Sequence, residues 1–491
     1  MYSEIRSIML IAAAVLLSAC AAVGPNYRAP ELKVPTEWQA PQAGKSADVN
    51  AWWSRFQDPA LSTLLEAAQQ ENPTLLKAAA AIEKARASRS AAESGFLPSV
   101  TASAGTSWSG SLKNGTGTGV TTGATTGTSR SSTAGLDASW EVDLFGKSRR
   151  TVESAGALLQ AREADWHDAR VSLGAEVATT YVDYRGGRLK QKYYEEQADS
   201  QAKTAELTAL AAKAGFTAPA DARLAEASAA STRSTALAQQ GECELLVKSL
   251  VALTGLPEAS VRQTLGADIR ALPVPDGLKV TALPADLLRQ RPDIVSAERT
   301  LASTSALIGA AEAEKYPSFS LSGSVGLSAA TGTSLLAPWS FGPTVSLPLF
   351  DGGKIAADIK GARADYAAAR AGYQQVVRDA VKEVEQALVR LDSVARQEEE
   401  AKKSAAGYRA YVSATEANWR VGRASLLDLE TARRSAIGAE VTLLDLQQSR
   451  LEYWIALYKA VGGGWKSTSG EATRMAQTVS PAPAGKEGEL K

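Results

Sequence analysis

The run Pro317-Ser318-Phe319-Ser320-Leu321-Ser322-Gly323-Ser324-Val325-Gly326-Leu327-Ser328 decides the fold. Phe319, Leu321, Val325 and Leu327 take odd positions, and Ser318, Ser320, Ser322, Ser324 and Ser328 take even ones. That is period 2, so an extended strand shows one apolar and one polar face. After a short Ala/Thr/Gly/Ser turn the alternation resumes: Trp339, Phe341, Val345, Leu347 and Leu349 against Ser340, Gly342, Thr344 and Ser346. Two strands are predicted, at about 317–328 and 338–350.

A second pair lies upstream, at about 98–112 and 133–145. Val100, Ala102, Ala104 and Trp108 alternate with Ser99, Thr101, Ser103 and Ser107; Leu136, Ala138, Trp140, Val142 and Leu144 alternate with Asp137, Ser139, Glu141 and Asp143. Strands of about ten residues with apolar groups on one face and polar groups on the other fit a membrane barrel around a water-filled lumen. Four strands cannot close a barrel, since the smallest has about eight. An open edge in lipid would leave backbone amides unpaired, at several kcal/mol each. Other copies of the chain must therefore supply the missing wall.

The chain has 491 residues, 53 basic and 53 acidic, with zero net charge. Such a balance gives no sign of a nucleic-acid surface or a polyanionic partner, and the length points to more than one structural unit. His167, Cys20 and Cys243 are too few for a His/Cys metal cage, and His167 reads as a structural ring in a helix.

Arg6 precedes the apolar run Ile8–Leu17, too short to span a bilayer, which needs about 20 residues. Leu17-Ser18-Ala19-Cys20 resembles a bacterial lipobox, implying a signal peptide at 1–19 and a covalent lipid, a palmitate-type acyl group, on Cys20. An ordinary signal peptide with a coincidental cysteine is the alternative. Ala21, in place of an aspartate, implies sorting to the outer membrane. Residues 20–57, with Pro25, Pro30, Pro35 and Pro41, read as an extended lipid-anchored tether. Asp58-Pro59 reads as the cap and first turn of a helix.

The rest is an internal repeat. Pro292 follows Pro73, and Pro317 follows Pro98, by 219 positions. Past the strands the offset becomes 207: Lys147 matches Lys354, Glu176 matches Glu383, Gly215 matches Gly422, Asp221 matches Asp428 and Gly255 matches Gly462. The first repeat spans 58–257, the second 284–465; 258–283 is predicted as a linker and 466–491 as a disordered tail. A Gly/Thr/Ser-dense loop, Lys113–Ser132, accounts for the difference in offset.

Each repeat reads helix, strand, strand, long helix, helix. The long helices are predicted from about Lys147 to Ala214 and Lys354 to Val421, each about 100 Å at about 1.5 Å per residue. Val152, Leu159, Trp166 and Leu173 recur every seventh position; Ile355, Ile359, Ala362, Tyr366, Ala369, Tyr373, Val376 and Ala380 alternate steps of four and three. Both are coiled-coil seams that need partners. Pro73–Ser94, Asp221–Leu253, Pro292–Lys315 and Ser425–Val461 are the shorter helices that supply them. Three copies would bring twelve strands and twelve helical lines to one axis.

The chain resembles the TolC-like outer membrane factors, in particular the lipoprotein branch serving tripartite efflux systems of the RND type. The likeness is carried by Cys20 followed by Pro25-Asn26-Tyr27 and Pro30, Arg291-Pro292-Asp293-Ile294 with Ala297-Glu298, Leu347-Pro348-Leu349-Phe350 before Gly352-Gly353-Lys354, and Gly462-Gly463-Gly464-Trp465. It implies a mixed α and β membrane protein: a homotrimeric 12-stranded β-barrel, four strands per chain, continuous with a long periplasmic α-helical barrel. It implies an exit duct that catalyses nothing, lies among outer membrane lipids, and meets a periplasmic adaptor protein and an inner-membrane pump. No cofactor and no metal are expected beyond the lipid on Cys20. A type I protein secretion duct is the alternative with the same architecture.

The resemblance assigns adaptor contact to the helical tips, Gly215-Phe216-Thr217 and Val421-Gly422-Arg423 with Ser425. It assigns a periplasmic gate to Leu427, Asp428 and Glu430. A carboxylate ring would favour cations and a leucine ring would exclude water. Asp428 reads equally well as a cap on its own helix. The second acidic position of the family's gate is Thr431 here, so Glu430 is the residue that would have to compensate. The cargo is not written in the sequence.

Overall fold

The structure, a computed structural model, describes residues 22–31, 38, 55–110, 128–266, 269–273 and 285–463. The chain divides into two compact units. One comprises the described residues of Met1–Pro30, Ile82–Ala161 and Ala297–Tyr373; the other comprises those of Glu31–Ala81, Arg162–Ser296 and Gln374–Lys491.

The first unit holds the sheet. Strands β1 (Ser99–Ser109), β2 (Ser129–Val142), β3 (Ser318–Ala330) and β4 (Trp339–Ser346) form one antiparallel sheet in the order β1-β2-β3-β4. Alternation survives pairing: Val100 faces Ala138, Leu136 faces Val325, and Phe319 faces Val345. All the large apolar groups therefore share one side, where Trp108 is 68% and Trp339 is 77% exposed. A contiguous bare apolar face of this kind belongs against lipid. No helix among the described residues is long and apolar enough to cross a membrane.

Several strand ends differ from the sequence reading, two of them by four residues. β2 begins at Ser129 because Ser129–Ser132 pair with Thr106–Ser109, a polar stretch that alternation could not mark. β4 stops at Ser346, opposite Ser318, the first residue of β3; beyond it no partner remains, and Pro348 has no N–H to offer.

The expected tether is extended over residues 22–30, and it is bound along its length. Val23 N–H donates to the Phe145 carbonyl at 3.0 Å. The buried Arg150 donates to the Val23 carbonyl at 3.1 Å and to Asn26 Oδ1 at 2.8 Å. Tyr27 donates its hydroxyl proton to Glu298 Oε1 at 2.5 Å, and burial followed by that carboxylate pushes its pKa up. Cys20, the rest of the signal peptide, residues 111–127 of the loop and the 466–491 tail lie outside the described residues.

The second unit is helical. α1 (Pro59–Glu71) starts at Asp58, whose Oδ1 accepts from Ala60 N–H at 3.0 Å, with Pro59 in the first turn. Asp58 Oδ2 accepts from the Tyr181 hydroxyl at 2.7 Å, fixing α1 to the long helix. α2 (Pro73–Glu93) follows. The long helices are α3 (Lys147–Lys213) and α7 (Lys354–Arg420), paired with α4 (Pro219–Thr254) and α8 (Leu426–Ala460). Both long helices begin in the sheet unit, and α6 (Pro292–Ala313) lies across the same division. On α7 the predicted seam is the covered side, and it continues past Ala380 through Val384, Leu388 and Leu391. α3 lets its neighbours approach at Gly186, where an added Cβ would sit 2.2 Å from Gln448 Oε1 of α8.

The predicted linker is part helix: Glu258–Leu265 forms α5, burying Val261 and Leu265, with Arg262 bridging Glu244 and Glu258. His167 is buried, its ring edge-on to Trp166. Cys243 is buried and unpaired.

The repeat is visible in bonding. Asn72 Nδ2 donates to the Leu253 carbonyl at 2.9 Å, and Arg291 Nη1 donates to the Ala460 carbonyl at 2.5 Å. Arg291 follows Asn72 by 219 positions and Ala460 follows Leu253 by 207. Each repeat thus uses the residue before the matching prolines, Pro73 and Pro292, to satisfy a carbonyl left over at the end of its long closing helix.

Candidate functional site

The two hairpin turns have the same backbone. α3 ends at Lys213; Gly215 takes φ +80°, its N–H donates to the Ala212 carbonyl at 3.1 Å, and Phe216 N–H donates to the Ala211 carbonyl at 2.9 Å. α7 ends at Arg420; Gly422 takes φ +73°, its N–H donates to the Trp419 carbonyl at 2.9 Å, and Arg423 N–H donates to the Asn418 carbonyl at 2.8 Å. Both are Schellman closures, in which a left-handed glycine lets two N–H groups turn back onto the last carbonyls. This geometry leaves the residues around the glycine outside any core: Phe216 is 87% and Val421 67% exposed. An exposed phenylalanine at a helix reversal contributes nothing to packing within this chain and is available to a partner.

The turns differ in how the next helix starts. Thr217 donates to Asp221 Oδ2 at 2.7 Å ahead of Pro219. In the other turn Ser425 caps α8 through a capping box: Asp428 N–H donates to Ser425 Oγ at 3.1 Å, and Ser425 N–H donates to Asp428 Oδ2 at 2.9 Å. The Ser425 hydroxyl also donates to Asp428 Oδ2 at 2.6 Å, which holds that carboxyl below its ordinary pKa. The capping role foreseen for Asp428 is therefore real, and its carboxylate is still at the surface and charged. Leu427, next to it, is 62% exposed.

Glu430, the residue that would have to compensate for Thr431 at the gate, is instead a core residue, 2% exposed. Its oxygens accept from Ser200 Oγ at 3.2 Å, Gln201 Nε2 at 2.9 Å and Arg433 Nη1 at 3.0 Å. Two residues past Asp428 on a helix is a turn of about 200°, so one of the pair faces out and the other faces α3. Arg433 and Arg409, with Glu196, Ser200, Gln201 and Glu430, border a hollow of about 360 Å³ between α3, α7 and α8. Arg409 is also paired with Glu440 of α8. Sequence spacing could not locate this cluster, because Ser200 and Glu430 are 230 positions apart.

A second carboxylate pair lies within the same unit. Gln448 Nε2 donates to Asp183 Oδ1 and to Glu452 Oε1, both at 2.8 Å. Burial, then the Asp183 carboxylate, pushes the Glu452 pKa up to about 7.

A sheet with one bare apolar face and two long helical hairpins defines a membrane channel protomer. Residues 64–256 and 283–463 match the family model described as outer membrane efflux protein. Nodulation protein T of Rhizobium leguminosarum bv. trifolii is 31% identical over 460 residues, 92% of this chain and 96% of that protein. The antibiotic efflux pump outer membrane protein ArpC of Pseudomonas putida is 30% identical over 491 residues, 96% of this chain and 98% of that protein. The solved outer-membrane channel OprN superposes with a TM-score of 0.77 at 31% identity, covering 91% of this chain and 100% of that one. The chain belongs to the outer membrane efflux protein family. It is a TolC-like channel of the outer membrane with a large helical portion in the periplasm, and it serves efflux.

Proposed function

We propose that three copies of this chain close into a 12-stranded barrel, forming the passive outer membrane exit duct of a tripartite pump for small molecules. The observation that carries this reading is the pair of open edges. Among the described residues β1 and β4 end the sheet with no strand beyond them, while one face of the sheet carries all its large apolar side chains. In hydrocarbon such edges must be paired, and β4 of one copy is the natural partner for β1 of the next. The lumen side would then be the hydroxyl-rich face of Ser99, Thr101, Ser103, Ser320, Ser322 and Ser324. A duct so lined binds little and catalyses nothing; the work is done by the inner-membrane pump.

The adaptor would meet the Gly215–Thr217 and Val421–Ser425 turns, where Phe216 and Val421 offer apolar anchors on a rigid reversal. Leu427 and Asp428 would form the gate. Asp428 is preorganised by Ser425, and three such carboxylates around an axis would attract cations. Lipid on Cys20 would hold the chain at the membrane. It is two residues ahead of Ala22, and Val23 is bonded to Phe145 at the end of β2, so the acyl chains would lie close to the barrel wall.

Cysteines placed in pairs on β1 and β4, such as Ser103→Cys with Gly342→Cys, test the closure. Oxidation in outer membranes should yield ladders of two and three chains; bridges within single chains alone would overturn the reading.

A further inference from the structure

The lipid-facing side of the sheet carries one charge among the described residues. β1 contributes Val100, Ala102, Ala104, Thr106 and Trp108 to that side, β3 contributes Phe319, Leu321, Val325 and Leu327, and β4 contributes Trp339, Phe341 and Val345. β2 contributes Leu136, Trp140 and Val142, and at its start Arg130, directly opposite Trp108. The Arg130 guanidinium lies over the Trp108 ring, 5.6 Å from its centroid. Among the described residues no carboxylate pairs with it. The remaining polar contacts of Arg130 are made by its backbone, which donates to Thr331 Oγ1 at 3.0 Å and accepts from Thr331 N–H at 2.9 Å.

Height on the barrel fixes what this cation meets. From Arg130 to Trp140 is ten positions of β2, about 34 Å along a strand. Tilted at about 40°, that is about 26 Å, matching the roughly 25 Å apolar band between two aromatic girdles. Trp140 marks the girdle at the strand ends that join helices, where its Nε1 donates to the Phe96 carbonyl at 3.0 Å. Trp108 and Arg130, opposite each other, mark the other girdle, at the hairpin end of β1 and β2. The periplasm holds the helices, so this second girdle is at the outer leaflet. A charge there is tolerated because headgroups, not hydrocarbon, surround it.

We propose that Arg130, held over Trp108, is a docking site for the phosphate of an outer-leaflet glycolipid of the lipid A type. The cation–π contact with Trp108 uses none of the guanidinium N–H groups as hydrogen-bond donors, and their planar fork suits phosphate. Directly below is a hollow of about 420 Å³ bordered by Ala104, Thr106, Ser132, Ala134, Leu327 and Leu335. Its small side chains leave room for an acyl chain. Thr106 and Ser132 share one hydroxyl–hydroxyl bond at 3.0 Å, which lowers the cost of placing them in lipid. A phosphate held above and an acyl chain seated below select a phosphorylated lipid over a free anion. The proposal rests on the barrel reading, since it needs this face in the membrane.

The test is native mass spectrometry of the full chain, purified in detergent, titrated with bisphosphorylated lipid A, dephosphorylated lipid A, phosphatidylethanolamine and inorganic phosphate. Protease protection of the strands in membranes is measured on the same preparations. Wild type should retain bisphosphorylated lipid A, and Arg130→Gln should weaken this about tenfold with protection unchanged, while Arg130→Lys restores part of it. Equal retention by Arg130→Gln, equal retention of dephosphorylated lipid A, or competition by millimolar inorganic phosphate would overturn the proposal while leaving the barrel intact. Unprotected wild-type strands would overturn the barrel reading and this proposal together.

Discussion

Arg291 donates to the carbonyl of Ala460 at 2.5 Å, closing the last helix of the second repeat against the start of α6. It also reaches Asp293 Oδ2 at 2.7 Å and Glu383 Oε2 at 2.9 Å, and it is buried. The Arg-Pro-Asp phrase that marks the family in sequence is thus a structural clamp. Arg291→Ala would leave that carbonyl without a donor and two carboxylates without their cation. It should destabilise the helical part by about 1–3 kcal/mol, read as a shift in the helical unfolding transition by circular dichroism. Asn72→Ala, which removes the matching clamp with no charge involved, should cost less.

Glu452 gives a pH dependence. Its pKa is raised from an ordinary 4.5 to about 7, so the folded chain holds a proton that the unfolded chain has released between those values. Its contribution to stability therefore falls as pH rises from about 4.5 to about 7. Glu452→Gln should remove that decline: denaturation midpoints of variant and wild type converge near pH 5 and separate in favour of the variant at pH 7.5.

Asp428, proposed for the gate, and Glu430, buried in the core, should respond differently to substitution. Single-channel recordings in planar bilayers should show altered conductance and weaker cation preference for Asp428→Asn, and unchanged conductance for Glu430→Gln. Stability should respond in the opposite order. Glu430→Ala strands Arg433, Ser200 and Gln201 at a cost of about 1–3 kcal/mol, whereas Asp428→Asn loses part of a surface cap worth about 1 kcal/mol.

Gly422→Ala tests the tip. An added Cβ meets nothing within 4 Å, so the cost comes from the left-handed backbone, about 1–2 kcal/mol. The chain should still fold, and crosslinking to the adaptor should drop. Phe216→Ser, which leaves the backbone alone, should reduce the same crosslink without any change in stability.

Much of the fold was legible in the sequence because its signals are periodic. Serine alternation marked both strand pairs, and seams of seven, legible over Val152–Leu173 and Ile355–Ala380, marked the two 67-residue helices α3 and α7. Offsets of 219 and 207 fixed the repeat from prolines and glycines alone. What stayed hidden depends on contacts distant in sequence. Ser129–Ser132 join β2 only because Thr106–Ser109 lie opposite, and Glu430 is a core residue only because Ser200 faces it. The 22–30 segment read as a tether from its prolines, while its attachment is owed to Arg150, more than a hundred residues away.

Native mass spectrometry of the chain extracted from outer membranes measures the central claim most directly. Three copies per particle, with strands resistant to protease only in that particle, is the result the open β1 and β4 edges require. A single chain whose strands are fully protected would contradict it.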